Sequence, residues 1–130
     1  MSIKEFAEKY IIAWKRAILN GNIATFEALF DHNFVYHYPG MDVGLEAYPR
    51  QHVVELREHS QIIQVDVKYL ISERNLFAVD FRGHFKITSE MPGFPGSSGK
   101  ECKSNYLCLL RVRQDKVIEG WSNGTAVITE

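Results

Sequence analysis

One histidine, His37, has the chemistry that proton transfer requires. An imidazole titrates near neutral pH, so it can serve as a general base without a large shift of its pKa. His37 lies in the β-prone run 34–38, which a Pro-Gly pair terminates. Glu119, on a later predicted strand, could orient the imidazole and complete a catalytic pair. The alternative is that His37 is a hydrogen-bonded structural residue at the end of a strand.

The cysteines and the other histidines do not show the spacing of a metal site. Cys102 and Cys108 make neither a disulfide framework nor a metal-binding knuckle. We predict that Cys108 is a small buried hydrophobic residue, because a reactive thiol needs electropositive surroundings that Leu107 and Leu109 do not provide. The sequence contains neither a glycine-rich phosphate loop nor a Gly-x-Ser-x-Gly elbow, so we predict no metal and no cofactor. The histidines are His32, His37, His52, His59 and His84.

Composition limits the classes of partner. The 130 residues carry a net charge of −1 and are 45% hydrophobic, which predicts a single domain spanning residues 1–130 with a full core. Positive charge is scattered, so we expect no nucleic acid partner. The first ten residues lack the apolar segment of a signal peptide, and no apolar run is long enough to cross a bilayer. We therefore expect a cytoplasmic protein that does not bind membranes.

The first helix has clear start and stop signals. Ser2 and Glu5 form a capping box. Asn20-Gly21 supplies a left-handed stop. Between them, apolar residues recur at helical spacing: Phe6, Tyr10, Ala13, Trp14, Ala17 and Ile18.

Two further helices are predicted in the first half of the chain. Asn22 can cap a second, short helix. A third begins near Pro49, where a missing N–H costs nothing, and runs to about Ser60. His52 and His59 would mark its faces.

The second half of the chain has the period of strands. From Gln64 onward apolar and polar residues alternate, and a tight turn at Gln114-Asp115 joins the strands Ser104–Arg113 and Lys116–Asn123. The predicted cross-strand pairs are Val112–Val117, Leu110–Glu119, Cys108–Trp121 and Tyr106–Asn123. We predict that all eight side chains share the concave face of the sheet. Helices followed by a strand meander indicate an α+β fold.

The segment Ser89–Lys103 interrupts this order. It carries two Pro-Gly pairs and is long for a hairpin connection. It is either a binding loop or lid, or else a mobile hairpin tip or subunit contact.

The order of elements resembles the nuclear transport factor 2-like superfamily, especially its SnoaL-like branch. The likeness is carried by residues 34–40, the loop 95–100, and the strand end 111–113 that leads into 117–121. It implies a cystatin-like α+β barrel or cone, with N-terminal helices packed on a curved antiparallel sheet around an apolar pocket. It also implies a homodimer. The fold is shared by isomerases, cyclases, dehydratases, epoxide hydrolases and non-catalytic binding modules.

The resemblance also suggests site residues. Beside ketosteroid isomerase, His37 looks like the catalytic base and Trp14 falls at an oxyanion-hole tyrosine. Cys108 is similar in position to that enzyme's oxyanion-hole aspartic acid, and Trp121 to its pocket tryptophan. Beside SnoaL-like cyclases, Cys108 lies near a frequent histidine and Ser122 near a carboxylate. The polar groups have therefore changed while the pocket frame is retained.

Two functions follow as hypotheses. The first is an isomerase, cyclase or dehydratase that acts without a cofactor on a small apolar ketone, with His37 as base and Glu119 as its partner. The second is a non-catalytic ligand-binding or dimerisation module, which the changed positions 108 and 122 favour. The predicted pocket residues are Trp14, Tyr106, Cys108, Trp121 and Asn123.

Asp80, Arg82 and His84 alternate along one predicted strand. We expect them on a solvated or dimer-facing side of the sheet, with ion pairs across strands. The alternative is an Asp-Arg relay similar to that of the epoxide-hydrolysing branch.

Overall fold

The computed structural model describes residues 1–129 and opens with helix α1, Ile3–Asn20. The Ser2 hydroxyl caps it by accepting a hydrogen bond from the Glu5 amide at 3.1 Å. Gly21 ends it at φ 76°, a left-handed conformation that glycine adopts without a Cβ clash. Both predicted helix signals are confirmed. The predicted domain end, Glu130, lies outside the described residues.

Two shorter helices follow: α2, Ile23–Glu27, and α3, His52–His59. The third helix begins later than predicted, because an irregular helical turn, Glu46–Gln51, precedes it. Within that turn Tyr48 has extended backbone angles, and its side chain is buried. Within residues 1–129, none of the helices has the length and apolar character needed to span a membrane.

The strands are β1 (Phe30–Tyr38), β2 (Met41–Gly44), β3 (Ser60–Glu73), β4 (Leu76–Ile87), β5 (Glu101–Arg113) and β6 (Lys116–Thr129). Across residues 1–129 they form one sheet in the order β2-β1-β6-β5-β4-β3. β1 runs parallel to β6, while the other neighbours are antiparallel. The predicted antiparallel sheet is therefore mixed, because the first strand enters it beside the last.

The helices cover one face of the sheet, which we call the inner face; the opposite side is the outer face. Part of the space beneath α1 is filled by aromatic rings. Tyr10 packs edge-on against Phe26 at 5.2 Å and against Phe77 at 5.5 Å between ring centroids. Burying each such ring contributes about 2–3 kcal/mol. This packed region fixes α1 on the sheet and leaves a cavity beside it.

A β-bulge changes the register of β5 and β6. Val112 pairs with Val117 as predicted, but the register then shifts by one residue between Arg111 and Val112. Beyond the bulge Cys108 pairs with Ser122 instead of Trp121. Because side chains alternate between faces, this one-residue shift moves the predicted residues of β6 that lie beyond the bulge to the other side of the sheet. The predicted sharing of one face by all eight residues is wrong: Glu119, Trp121 and Asn123 lie on the outer face.

Candidate functional site

A cavity of about 320 Å³ lies between the helices and the inner face of the sheet. Trp14 of α1 and Phe81 of β4 form part of its wall, in edge-to-face contact at 4.7 Å between ring centroids. Tyr106 of β5 lies 6.3 Å from Phe81 and continues this wall. Most of the lining is aromatic or aliphatic, which suits a small, largely apolar ligand.

Four tyrosines are grouped at one end of the cavity: Tyr10, Tyr36, Tyr38 and Tyr48. The hydroxyls of Tyr10 and Tyr48 form a hydrogen bond of 3.2 Å, and the rings of Tyr36 and Tyr38 stack at 4.9 Å. Burial raises the pKa of Tyr10, Tyr36 and Tyr48 well above the usual value, and raises the pKa of Tyr38 to about 12. The phenols are therefore protonated near neutral pH. Protonated phenols can donate hydrogen bonds to a ligand oxygen.

Cys108 and Ser122 lie side by side at the tyrosine end. The Cys108 thiol is 3.8 Å from the Ser122 hydroxyl and also contacts Tyr36 through a hydrogen bond. Burial raises the pKa of the Cys108 thiol, although both hydrogen bonds lower it. The thiol is thus protonated near neutral pH and is a poor nucleophile. This agrees with the expectation that Cys108 packs as a small residue.

His52, at the start of α3, lines the cavity with Glu55 one turn later. Burial lowers the pKa of His52, and the nearby Glu55 carboxylate offsets this only in part. Its ring lies 5.5 Å from that of Tyr48. The imidazole is therefore neutral near pH 7 and able to accept a proton inside the cavity. The sequence placed His52 on a helix face, but its spacing to Leu56, which also lines the cavity, was the signal for an inward position.

His37 lies on the outer face, so its predicted place in the cavity is wrong. Its Nδ1 lies 2.7 Å from Asp42 Oδ1 and its Nε2 lies 2.8 Å from Glu119 Oε2. These hydrogen bonds, with Asp42 the larger influence, raise the pKa of His37. Trp121 stacks on the imidazole at 5.4 Å, and the Arg111 guanidinium lies 5.5 Å from the Trp121 ring.

The predicted site residues thus divide between two faces. Trp14, Tyr106 and Cys108 line the cavity. His37, Trp121 and Asn123 instead line a shallow depression on the outer face, next to Leu107 and Leu109. The predicted contact of Glu119 with His37 exists there, where it links β6 to β1 and cannot serve chemistry in the cavity.

The segment between β4 and β5 contributes to the wall of the cavity. Met91, Pro92 and Phe94 are the residues of this segment that line it. Ser97 is buried, and its hydroxyl accepts a hydrogen bond from the Met91 amide at 3.0 Å. At the base of the segment the Gly99 amide donates to the Ile87 carbonyl at 2.8 Å. These bonds give the segment a defined shape, so it is a wall of the cavity.

Within residues 1–129, no three His, Cys, Asp or Glu side chains are grouped so that they could hold a metal ion. The groups available for chemistry in the cavity are therefore an imidazole, a carboxylate, phenols, thiols and hydroxyls.

Comparison with known proteins gives both a family match and a fold match. The family model of SnoaL-like polyketide cyclases matches residues 8–124. A comparison with curated proteins finds no match.

Three solved structures resemble the chain. A candidate SnoaL-like polyketide cyclase from Mesorhizobium loti is 16% identical, with 95% of this chain and 99% of that chain covered and a TM-score of 0.69. A candidate isomerase from Bacillus subtilis is 11% identical, with 96% of this chain and 90% of that chain covered and a TM-score of 0.73. A protein of unknown function with a cystatin-like fold from Xanthomonas campestris is 19% identical, with 96% of this chain and 92% of that chain covered and a TM-score of 0.65. At these identities the likeness shows the fold, a cystatin-like α+β architecture.

Proposed function

The chain belongs to the SnoaL-like polyketide cyclase family, and we propose that its cavity catalyses proton transfer on a small, largely apolar carbonyl compound without a cofactor. The family supports a pocket domain of the cyclase or isomerase type. Reactions of this type begin when a base removes a proton from the carbon next to a carbonyl. The observation that carries the proposal is that a neutral imidazole and protonated phenols line the same apolar cavity.

His52 is the proposed general base. Its lowered pKa keeps the imidazole free of a proton near pH 7, as a base requires. Glu55 on the same cavity wall stabilises the imidazolium that forms when the proton is taken. His37 is excluded from this role because it lies outside the cavity, and each of its ring nitrogens is hydrogen-bonded to a carboxylate.

Tyr38 is the proposed donor to the oxygen on which negative charge develops. As the C–H bond breaks, its electron pair moves toward the carbonyl and leaves an enolate oxygen. The hydroxyls of Tyr10 and Tyr48 are engaged with each other, whereas within residues 1–129 the Tyr38 hydroxyl has no hydrogen-bond partner. It is therefore free to reach a ligand.

The enolate then has two outcomes. In an isomerisation the His52 imidazolium returns the proton to a different carbon of the ligand. In a cyclisation the enolate carbon bonds to a second carbonyl carbon of the same molecule, and the imidazolium protonates the alkoxide that results. Both routes leave His52 neutral again.

The test is exchange of the acidic C–H protons of 2-tetralone, an apolar bicyclic ketone, for deuterium in D₂O, followed by NMR. The wild-type protein is expected to accelerate exchange, and His52→Gln to lower the catalysed rate about 100- to 10,000-fold. His37→Gln is the matched control and is expected to leave the rate unchanged. Loss of exchange in His37→Gln but not in His52→Gln would contradict the proposal.

A non-catalytic ligand-binding pocket is the second candidate. The observation in its favour is that the Tyr10 and Tyr48 hydroxyls satisfy each other, which is typical of a static wall. In that case 2-tetralone binds with the same affinity to the wild type and to His52→Gln, and neither protein accelerates exchange.

A further inference from the structure

One hydroxyl in the wall of the cavity is left without a partner. Ser104 of β5 lines the cavity, and its Oγ is buried with no hydrogen-bond partner within residues 1–129. A buried hydroxyl without a partner is unfavourable by an amount comparable to the hydrogen bond it lacks. Such a group in a binding cavity is suited to meet a polar atom of the ligand.

The neighbours of Ser104 differ on its two sides. Across the sheet Ser104 pairs with Gly83 on β4 and with Ala126 on β6. The Phe85 ring fills the space above Gly83, 2.5 Å from where a Cβ would stand, whereas the small side chain of Ala126 lines the cavity. The Ser104 side chain has one rotatable bond, and its hydroxyl can turn from one staggered position to another to face a ligand.

Ser104 lies far from the polar groups at the tyrosine end. It precedes Cys108 by four residues on the same strand, with both side chains on the inner face. At the rise of a β-strand this separates the two positions by about 13 Å. Between them the wall is formed by the rings of Tyr106 and Phe81.

From this arrangement we infer that the ligand is an elongated, largely apolar molecule with an oxygen function at each end. One oxygen meets the tyrosine end, and the other accepts from or donates to the Ser104 hydroxyl, with the rings of the wall packed against the apolar middle. Ser104 is then a residue that determines specificity for ligand length. The inference rests on the proposed function only in that it takes the cavity as the binding site; it does not require catalysis.

The test uses two rigid fluorescent probes of the same shape. trans-4,4′-Dihydroxystilbene has a hydroxyl at each end, and trans-4-hydroxystilbene lacks one of them. The wild type is expected to bind the dihydroxy probe about 2- to 10-fold more tightly, the worth of one net hydrogen bond. Ser104→Ala should remove this preference: the affinity for the dihydroxy probe should fall by that factor, and the affinity for the monohydroxy probe should fall less than 2-fold.

Two controls separate the possible failures. Asn105→Ala changes the next residue, which is exposed and on the outer face, and should leave both affinities unchanged. The melting temperature of ligand-free Ser104→Ala should equal or exceed that of the wild type, because the substitution removes a hydroxyl with no partner. A lower melting temperature would mean that the hydroxyl has a structural partner and would overturn the inference.

The binding outcomes distinguish this inference from the proposed function. If the wild type binds both probes with equal affinity, or if Ser104→Ala lowers both affinities by the same factor, the role of Ser104 is refuted while the cavity remains a binding site. If the wild type binds neither probe, both this inference and the cavity as a site for apolar ligands are contradicted. Exchange of 2-tetralone protons is independent of these results, because that ketone is too short to reach both ends.

Discussion

Replacing Gly124 by alanine is expected to force β5 and β6 apart beside the cavity. Gly124 pairs with Tyr106 across the two strands. A Cβ on Gly124 would lie 2.6 Å from the Tyr106 Cα and 2.7 Å from its ring Cδ1, and would also collide with the Asn105 carbonyl oxygen. Two of these three atoms belong to the backbone, so no side-chain rotation can relieve the collision.

The expected cost of Gly124→Ala can be estimated from these contacts. Inserting a methyl group into a filled space costs about 1–3 kcal/mol. Loosening a backbone hydrogen bond between the strands adds about 1 kcal/mol. A loss of about 2–4 kcal/mol lowers the melting temperature of a chain of this size by about 6–20 °C. The displaced Tyr106 ring should also weaken binding of the stilbene probes.

Urea unfolding followed by tryptophan fluorescence measures this effect. Gly44→Ala is the matched control in the same sheet, because a Cβ there meets only the Phe34 carbonyl oxygen, at an ordinary 3.8 Å. Its unfolding midpoint should be unchanged or slightly raised. A Gly124→Ala midpoint equal to that of the wild type would refute the close approach of β5 to this glycine.

Three further predictions concern titration and assembly. Because His52 has a lowered pKa, the unfolded chain binds its proton more readily, so stability should fall as pH drops below about 6.5, and His52→Gln should reduce that dependence in acid denaturation. His37 has a raised pKa, so its contribution to stability should be complete below about pH 6.5 and lost as the pH rises through the raised pKa. In an NMR titration of Asp42→Asn, the pKa of His37 should be lower than in the wild type; an unchanged pKa would contradict the pairing of His37 with Asp42. We expect a homodimer through the outer face, with a scattering mass of about twice 15.0 kDa at micromolar protein. The Asp80 carboxylate lies 3.1 Å from Arg82 Nε, and Asp80→Lys would replace it with a second positive charge on the outer face. This variant should shift the equilibrium from dimer toward monomer, and a monomeric wild type would refute the dimer.

Local signals in the sequence predicted most of the elements. The Ser2 cap and the Gly21 stop depend on one or two residues each, and both are present. The Gln114-Asp115 turn is also present, with positive φ at both residues and the predicted pair Val112–Val117 beside it. Such features are set by neighbours in the chain, so their residue types are enough to identify them.

The site depended on a feature without a local signal. Nothing in the residue types around Val117 and Glu119 marks a bulge. Yet the one extra residue between them decides which side of the sheet Trp121 and Asn123 occupy. Trp14 and Tyr106 were placed correctly because their positions do not depend on the register beyond the bulge. His52 was given no chemistry, since its lowered pKa arises from burial among residues distant in the sequence.

The parallel pairing of β1 with β6 has a consequence for protein synthesis. β1 begins at Phe30, but its partner along one edge, β6, begins at Lys116 and is therefore made much later than β1. Until β6 has left the ribosome, the hairpin of β1 and β2 has no sheet to join, although Tyr48, the ring neighbour of Tyr36, has already been made. Because such long-range pairing must wait for distant segments, it slows folding. The tyrosine end of the cavity is therefore complete only when Ser122 of β6 joins Cys108, whereas Tyr10 of α1 can pack against Phe77 of β4 before β6 is made.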